Sequence, residues 1–158
     1  MEQMRIALPP KLRVYLDTSV LSAYLDDRLP QRQDDTRQFW ERREEFELCT
    51  STIAQGELRR TEPEALRQRL LEVLAELTLY ELTAEMRQLA SLYVRHGVFT
   101  WKMRRDALHV AAATLLRQDV LVSWNFAHLV NRRRRVLLSQ MNADLGLRTP
   151  EILAPPEL

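Results

Sequence analysis

Short apolar runs alternate with longer amphipathic stretches along the whole chain. Val14-Tyr15-Leu16 is a continuous apolar run that predicts a buried strand over 13–17. A helix over roughly 19–26 follows, with Thr18 or Ser19 as its cap. The polar stretch 27–33, with Pro30, reads as a loop, and a second helix is expected over about 35–45. Residues 47–51 form a second strand and 53–60 a short helix. Thr61-Glu62-Pro63-Glu64 has the form of a capping box with proline in the first turn. The helix it starts places Leu66, Leu70, Val73, Leu74 and Leu77 at helical spacing. Residues 78–82 read as a short strand. Thr83 then caps a helix carrying Met86, Leu89, Ala90 and Tyr93, which Gly97 ends. The span 106–117 is the most apolar helix, Val120 to Ser123 a further strand, and 132–145 a surface helix; Ile152-Leu153 reads as an edge strand. Strands that alternate with helices predict an α/β fold, with a parallel sheet of four or five strands covered on both faces.

The chain has 158 residues, 46% of them apolar, which predicts one globular domain over 1–158 with its core at about 13–154. A net charge of +1 gives no global preference for a nucleic-acid partner, so a basic footprint has to be local. Cys49 is the single cysteine; it allows no internal disulfide and no thiolate zinc site, and fits a reducing, cytoplasmic setting. No apolar run approaches the length of a membrane span, so no membrane partner is expected. The three glycines, Gly56, Gly97 and Gly146, are scattered, which excludes a P-loop and a glycine-rich dinucleotide fingerprint.

Three acids occupy similar places in this pattern. Asp17 closes the first strand, Glu57 lies in the short helix after the second, and Asp106 opens the apolar helix. A parallel sheet gathers such positions at the carboxyl ends of its strands, where ligands bind. Taken singly, Asp17 and Asp106 fit helix-start roles and Glu57 a solvated helix surface. Together they form an oxygen-donor set suited to Mg²⁺ or Mn²⁺, ions that activate water and neutralise phosphoryl oxygens in phosphodiester hydrolysis. Ser123 and Asn125, just after the strand at 120–123, add polar groups to the same edge, although both are also favoured in turns.

Four segments carry a resemblance: Leu16-Asp17-Thr18-Ser19-Val20-Leu21, Glu57-Leu58, Asp106-Ala107-Leu108-His109-Val110-Ala111-Ala112-Ala113, and Ser123-Trp124-Asn125-Phe126-Ala127-His128-Leu129. They resemble PIN-domain proteins, above all the VapC-like toxin ribonucleases of type II toxin–antitoxin systems, over about residues 13–154. The resemblance implies a three-layer α/β/α sandwich, Mg²⁺- or Mn²⁺-dependent cleavage of RNA, a homodimer and neutralisation by an antitoxin protein. It makes Asp17 and Asp106 the metal carboxylates and Glu57 the further acid, acting directly or through a metal-bound water. Asn125 completes the catalytic set, and Thr18 or Ser19 holds a water or a phosphate oxygen. Two positions depart from the family pattern: Asn125 stands where many members carry an acid, and Arg105 where relatives often carry a second acid beside Asp106. Three carboxylates are expected to hold one metal ion tightly rather than two. The alternative is a non-catalytic PIN-like domain that binds RNA or a protein. An aspartyl-phosphate phosphatase is disfavoured because position 19, where its second acid belongs, is Ser19.

Lys102 and Arg105 beside Asp106, with Arg132 and Arg133 in the run Arg132 to Arg135, are candidate phosphate-binding cations. His109 is expected to pack in its helix, within reach of an acid. Trp101 and Trp124 are expected to pack rather than to stack on bases. Phe39 and Trp40 fit either the core or a groove for a partner helix.

Overall fold

The computed structural model describes residues 10–125, 129 and 131–158. Its sheet has five parallel strands: β1 (Leu12–Leu16), β2 (Phe46–Ser51), β3 (Thr78–Tyr80), β4 (Val120–Val122) and β5 (Glu151–Leu153), in the order β3-β2-β1-β4-β5. Side chains alternate across β1: Tyr15 faces one apolar layer, Val14 and Leu16 the other, and all are fully buried. Leu121 of β4 repeats this against Val120 and Val122. Burial on both faces explains why these strands read as unbroken apolar runs.

Among the described residues there are seven α-helices: α1 (Thr18–Tyr24), α2 (Pro30–Glu41), α3 (Thr52–Leu58), α4 (Glu64–Leu74), α5 (Ala84–Arg95), α6 (Arg104–Leu115) and α7 (Arg132–Asp144). The first four contribute to the apolar cluster on one face of the sheet, and α5 to α7 to the cluster on the other. The result is the three-layer α/β/α sandwich. In α6 the buried positions include Ala107, Ala111, Ala112 and Ala113, small residues that let its backbone lie close to the sheet. Tyr93 and Asn142 tie α5 to α7 through a buried 2.6 Å hydrogen bond. Gly97 adopts φ 77 just past α5, a left-handed conformation that glycine reaches without a Cβ clash.

Four local expectations are corrected. The second helix begins at Pro30, inside the stretch read as a loop, because proline at the first helical position is already set to helical φ. It ends at Glu41, where a short 3₁₀ turn, Arg43–Glu45, takes over. Thr61 caps nothing: Pro63 is the N-cap of α4, with no side-chain bond to the first turn. Thr18 and Ser19 lie inside α1, whose N-cap is Asp17: its Oδ1 accepts the Ser19 N–H at 3.0 Å.

Phe39 and Trp40 are buried, 2% and 5% exposed, and belong to the core rather than to an open groove. No helix among the described residues is long and apolar enough to cross a membrane.

Leu121 is fully enclosed at the centre of the sheet, whereas Leu12 is 44% exposed at the start of β1. Leu121→Ala is expected to lower the unfolding free energy by about 2–5 kcal/mol, and Leu12→Ala to change it by less than about 1 kcal/mol. Urea unfolding measures both; equal midpoints for the two variants would contradict this placement of the core.

Candidate active site

The chain winds outward from β1 through β2 to β3 and then crosses back to β4 on the other side of β1, so the strand order reverses between β1 and β4. A crevice opens at the carboxyl ends of strands at such a point. Leu16 pairs with Val122 there, and the Asp17 N–H donates to the Val122 carbonyl at 3.2 Å. Residues 17 and 123 therefore emerge side by side.

Asp17 is a carboxylate almost closed off from water, 3% exposed. Its Oδ1 accepts from the Ser19 amide and hydroxyl, and its Oδ2 accepts the Ser123 hydroxyl at 2.6 Å. Ser19 and Ser123 are themselves fixed: the Ser19 hydroxyl accepts the Trp124 N–H at 2.9 Å, and the Ser123 hydroxyl accepts the Asn125 N–H at 2.9 Å. The Asn125 Nδ2 then donates to Asp106 Oδ1 at 3.0 Å. One chain of hydrogen bonds thus runs Asp17–Ser123–Asn125–Asp106. Burial pushes the Asp17 carboxyl above its ordinary value. A charge on His109 and the two serine hydroxyls pull it down, the neighbouring Asp106 pushes it up again, and the balance stays raised.

Glu57 sits a little apart. His109, 3% exposed on α6, reaches three elements at once. Its Nε2 lies 3.0 Å from Glu57 Oε1 and 3.2 Å from Thr18 Oγ1, and its Nδ1 lies 2.7 Å from the Tyr15 hydroxyl. The Tyr15 oxygen is in turn 2.7 Å from the Ser51 hydroxyl. One arrangement satisfies every group: Nε2–H donates to Glu57, Nδ1 accepts from Tyr15, and Ser51 donates to the Tyr15 oxygen. Burial holds the Tyr15 hydroxyl well above its usual pKa, so it stays a donor. For Glu57, burial pushes upward, but the bond to His109, the charges of His109 and Arg105, and Thr18 outweigh it; the carboxyl titrates below its ordinary value.

The acids meet at one edge of the sheet as a linked pair and a satellite. Among the described residues, no three His, Cys, Asp or Glu side chains stand together as a ready-made metal cluster. Asp17 and Asp106 are nevertheless close enough for one charge to raise the other's pKa. Mg²⁺ commonly takes one or two protein carboxylates and keeps its waters. The pair fits that requirement.

The model of the PIN domain matches residues 14–125. The chain belongs to the PIN domain family. Among solved structures, a chain of VapBC2 from Rickettsia felis, bound to a fragment of its promoter DNA, superposes with a TM-score of 0.56 at 12% identity, covering 90% of this chain and 98% of that one. VapC20 from Mycobacterium tuberculosis, a toxin that cleaves the sarcin–ricin loop, gives 0.59 at 16% identity, covering 74% and 93%. A chain of FitAcB from Neisseria gonorrhoeae gives 0.60 at 16% identity, covering 92% and 99%. These likenesses are of fold. No curated protein matches the chain.

Within this PIN domain, Asp17, Asp106, Ser19, Ser123 and Asn125 share one hydrogen-bonded chain, and Thr18 joins Glu57 through His109. Phe126, Ala127 and His128 of the fourth motif lie outside the described residues. Arg105, on the first turn of α6, faces Glu57 electrostatically. Lys102 is exposed on the turn before α6, and Arg132 and Arg133 are exposed at the start of α7; among the described residues no hydrogen bond or ion pair brings these three to Asp17 or Glu57. Trp124 packs as expected, donating from Nε1 to Thr36 Oγ1 at 2.9 Å. Trp101 does not pack: it is 69% exposed. The reach of His109 to an acid, expected from its place three residues after Asp106, is met at Glu57, and the same ring also meets Tyr15 and Thr18.

A buried anion destabilises the metal-free fold, so Asp17→Asn is expected to unfold at higher urea than the wild type at pH 7 in EDTA. The sign follows from the raised pKa. The folded state binds the proton more tightly than the unfolded chain, so ionisation costs stability as pH rises above the ordinary carboxylate value. The gap between variant and wild type should close as pH falls to about 4. A variant that is less stable at every pH would contradict the placement of Asp17.

Proposed function

We propose that this PIN domain is a metal-dependent endoribonuclease that hydrolyses RNA phosphodiester bonds, and that it is the toxin of a toxin–antitoxin pair. The observation that carries the reading is the buried Asp17, linked through Ser123 and Asn125 to Asp106 at the point where the strand order reverses. A nearly dry carboxylate beside a second one is relieved by a bound cation. Their oxygens suit Mg²⁺ or Mn²⁺, with Asp17 and Asp106 as ligands. A bound ion of this kind supplies charge neutralisation on the phosphoryl oxygens and lowers the pKa of water. The rest falls to side chains. Ser19 and Ser123 hold both oxygens of Asp17 in place, and the Asn125 amide orients Asp106. Glu57, held ionised by its contacts with His109, accepts a hydrogen bond from the attacking water and aims it at phosphorus.

VapC20 is described as a toxin, and a further neighbour as a toxin–antitoxin complex from Klebsiella pneumoniae, at 16% identity and a TM-score of 0.57. A cognate antitoxin protein is the partner this reading implies.

Two observations favour a second reading, a PIN domain that binds without cutting: Asn125 brings no charge, and no three-ligand cluster is preformed among the described residues. Titration calorimetry with Mn²⁺ separates the two. The nuclease reading requires a binding heat that Asp106→Ala removes, and loss of at least about 100-fold of RNA cleavage in Asp17→Asn with an unchanged circular dichroism spectrum. Silence of the wild type at millimolar Mn²⁺, or full cleavage by Asp17→Asn, would falsify it.

A further inference from the structure

Beside Glu57 the surface falls into two adjoining depressions that share Arg60, Arg87, Arg105 and Leu108. The inner one contains Glu57 itself, with Glu81 and Gly56 on its walls. The outer one continues past Arg95 and Arg104 to Trp101. Together they form a single groove that starts at Glu57 and leads away across α5 and α6. Five arginines line it, and no acidic side chain lines its outer half. All five are exposed, and none makes an ion pair within the described residues. In a chain whose net charge is only +1, five arginines against Glu57 and Glu81 make a local positive excess.

The geometry of the groove is repetitive. Arg87, Ser91 and Arg95 follow one another at intervals of four residues on α5 and line the same wall. At about 1.5 Å per residue they extend roughly 12 Å along the helix. At the far end Trp101 is 69% exposed, and the Arg104 guanidinium lies 4.8 Å from its ring centroid. An open indole face with a cation against it can stack on a base while the adjacent arginines meet phosphates.

We propose that this groove carries the single-stranded stretch of RNA that flanks the bond to be cut, with one base stacked against Trp101. The inference rests on the reading of the protein as a ribonuclease, and it names the form of RNA that site takes. Charge alone would also suit an acidic protein segment. The exposed indole and the continuity with Glu57 favour a nucleic acid, since stacking uses a π-face that every base has. A duplex keeps its bases stacked on each other and cannot offer one to Trp101. The groove therefore selects unpaired RNA through the shape of its far end.

Fluorescence anisotropy in EDTA, where no cleavage occurs, tests this on the full chain with a labelled single-stranded RNA of twelve nucleotides, an RNA duplex and a poly-glutamate peptide. Arg87→Ala with Arg95→Ala is expected to weaken single-strand binding at least tenfold. It should also reduce the slope of log affinity against log salt by about 1.4, at roughly 0.7 per lost phosphate contact. Trp101→Ala should weaken the single strand about 5- to 100-fold, leave the salt slope and the duplex affinity unchanged, and be rescued by Trp101→Phe. Arg69→Ala, on α4 outside the groove, serves as control and should bind as wild type. Unchanged RNA affinity and slope in both the arginine and tryptophan variants overturns the proposal. So does retained RNA binding together with lost poly-glutamate binding, which assigns the groove to an acidic protein. Cleavage with Mn²⁺, assayed separately, keeps the two readings apart. A wild type that binds through the groove and cuts nothing defeats the nuclease reading alone, and one that cuts while all groove variants behave as wild type defeats the groove alone.

Discussion

A carboxylate kept almost dry at the point where the strand order reverses is the constraint around which this fold is arranged. Asp17 is the N-cap of α1 and a neighbour of β4 at the same time, so it cannot retreat into solvent. Its oxygens are taken up by Ser19 and Ser123, and those serines are held by the backbone of Trp124 and Asn125. The stretch 123–125 is thus shaped by one buried anion. Each bond moderates the cost of burial, yet the carboxyl still titrates high. Such electrostatic cost at a crevice fits the metal-ligand role proposed for Asp17. No arginine or lysine side chain hydrogen-bonds Asp17 among the described residues.

His109 has a parallel role for Glu57. It stands on the helix that carries Asp106, touches the strand that ends at Asp17 through Tyr15, and reaches Glu57 on α3. Three elements are thereby locked relative to one another through one imidazole. A displacement of α3 would break that link and move Glu57 away from the paired aspartates. The two acidic stations are separate in their hydrogen bonding yet fixed in their relative position.

Much of this architecture was legible in the sequence, for reasons of burial. Val14 to Leu16 and Val120 to Val122 read as strands because both sheet faces are covered, and the alanine-rich run after Asp106 read as a buried helix. Reading failed where a residue's role depends on a distant partner. Thr18 and Asp17 are both good caps by type; only the position of β4 decides that Asp17 has the extended backbone and Thr18 the helical one. Pro30 looked like a loop marker, although the same ring favours the first helical turn. Trp101 was expected to pack, since tryptophans usually do; it stands 69% exposed at the first position of the turn Trp101–Met103. The arginines of the groove come from the turn after α3, from α5 and from α6, so charge along the chain marks Arg105 and the run at 132–135 but not Arg60, Arg87 and Arg95.

Diffraction from crystals soaked in Mn²⁺, recorded at the manganese absorption edge, addresses the buried carboxylate directly. One strong anomalous peak bonded to the carboxylates of both Asp17 and Asp106, with Asn125 still oriented on Asp106, is the expected result. No peak at saturating Mn²⁺, or a peak that leaves Asp17 without a metal bond, would contradict the view that this edge of the sheet is built around a cation.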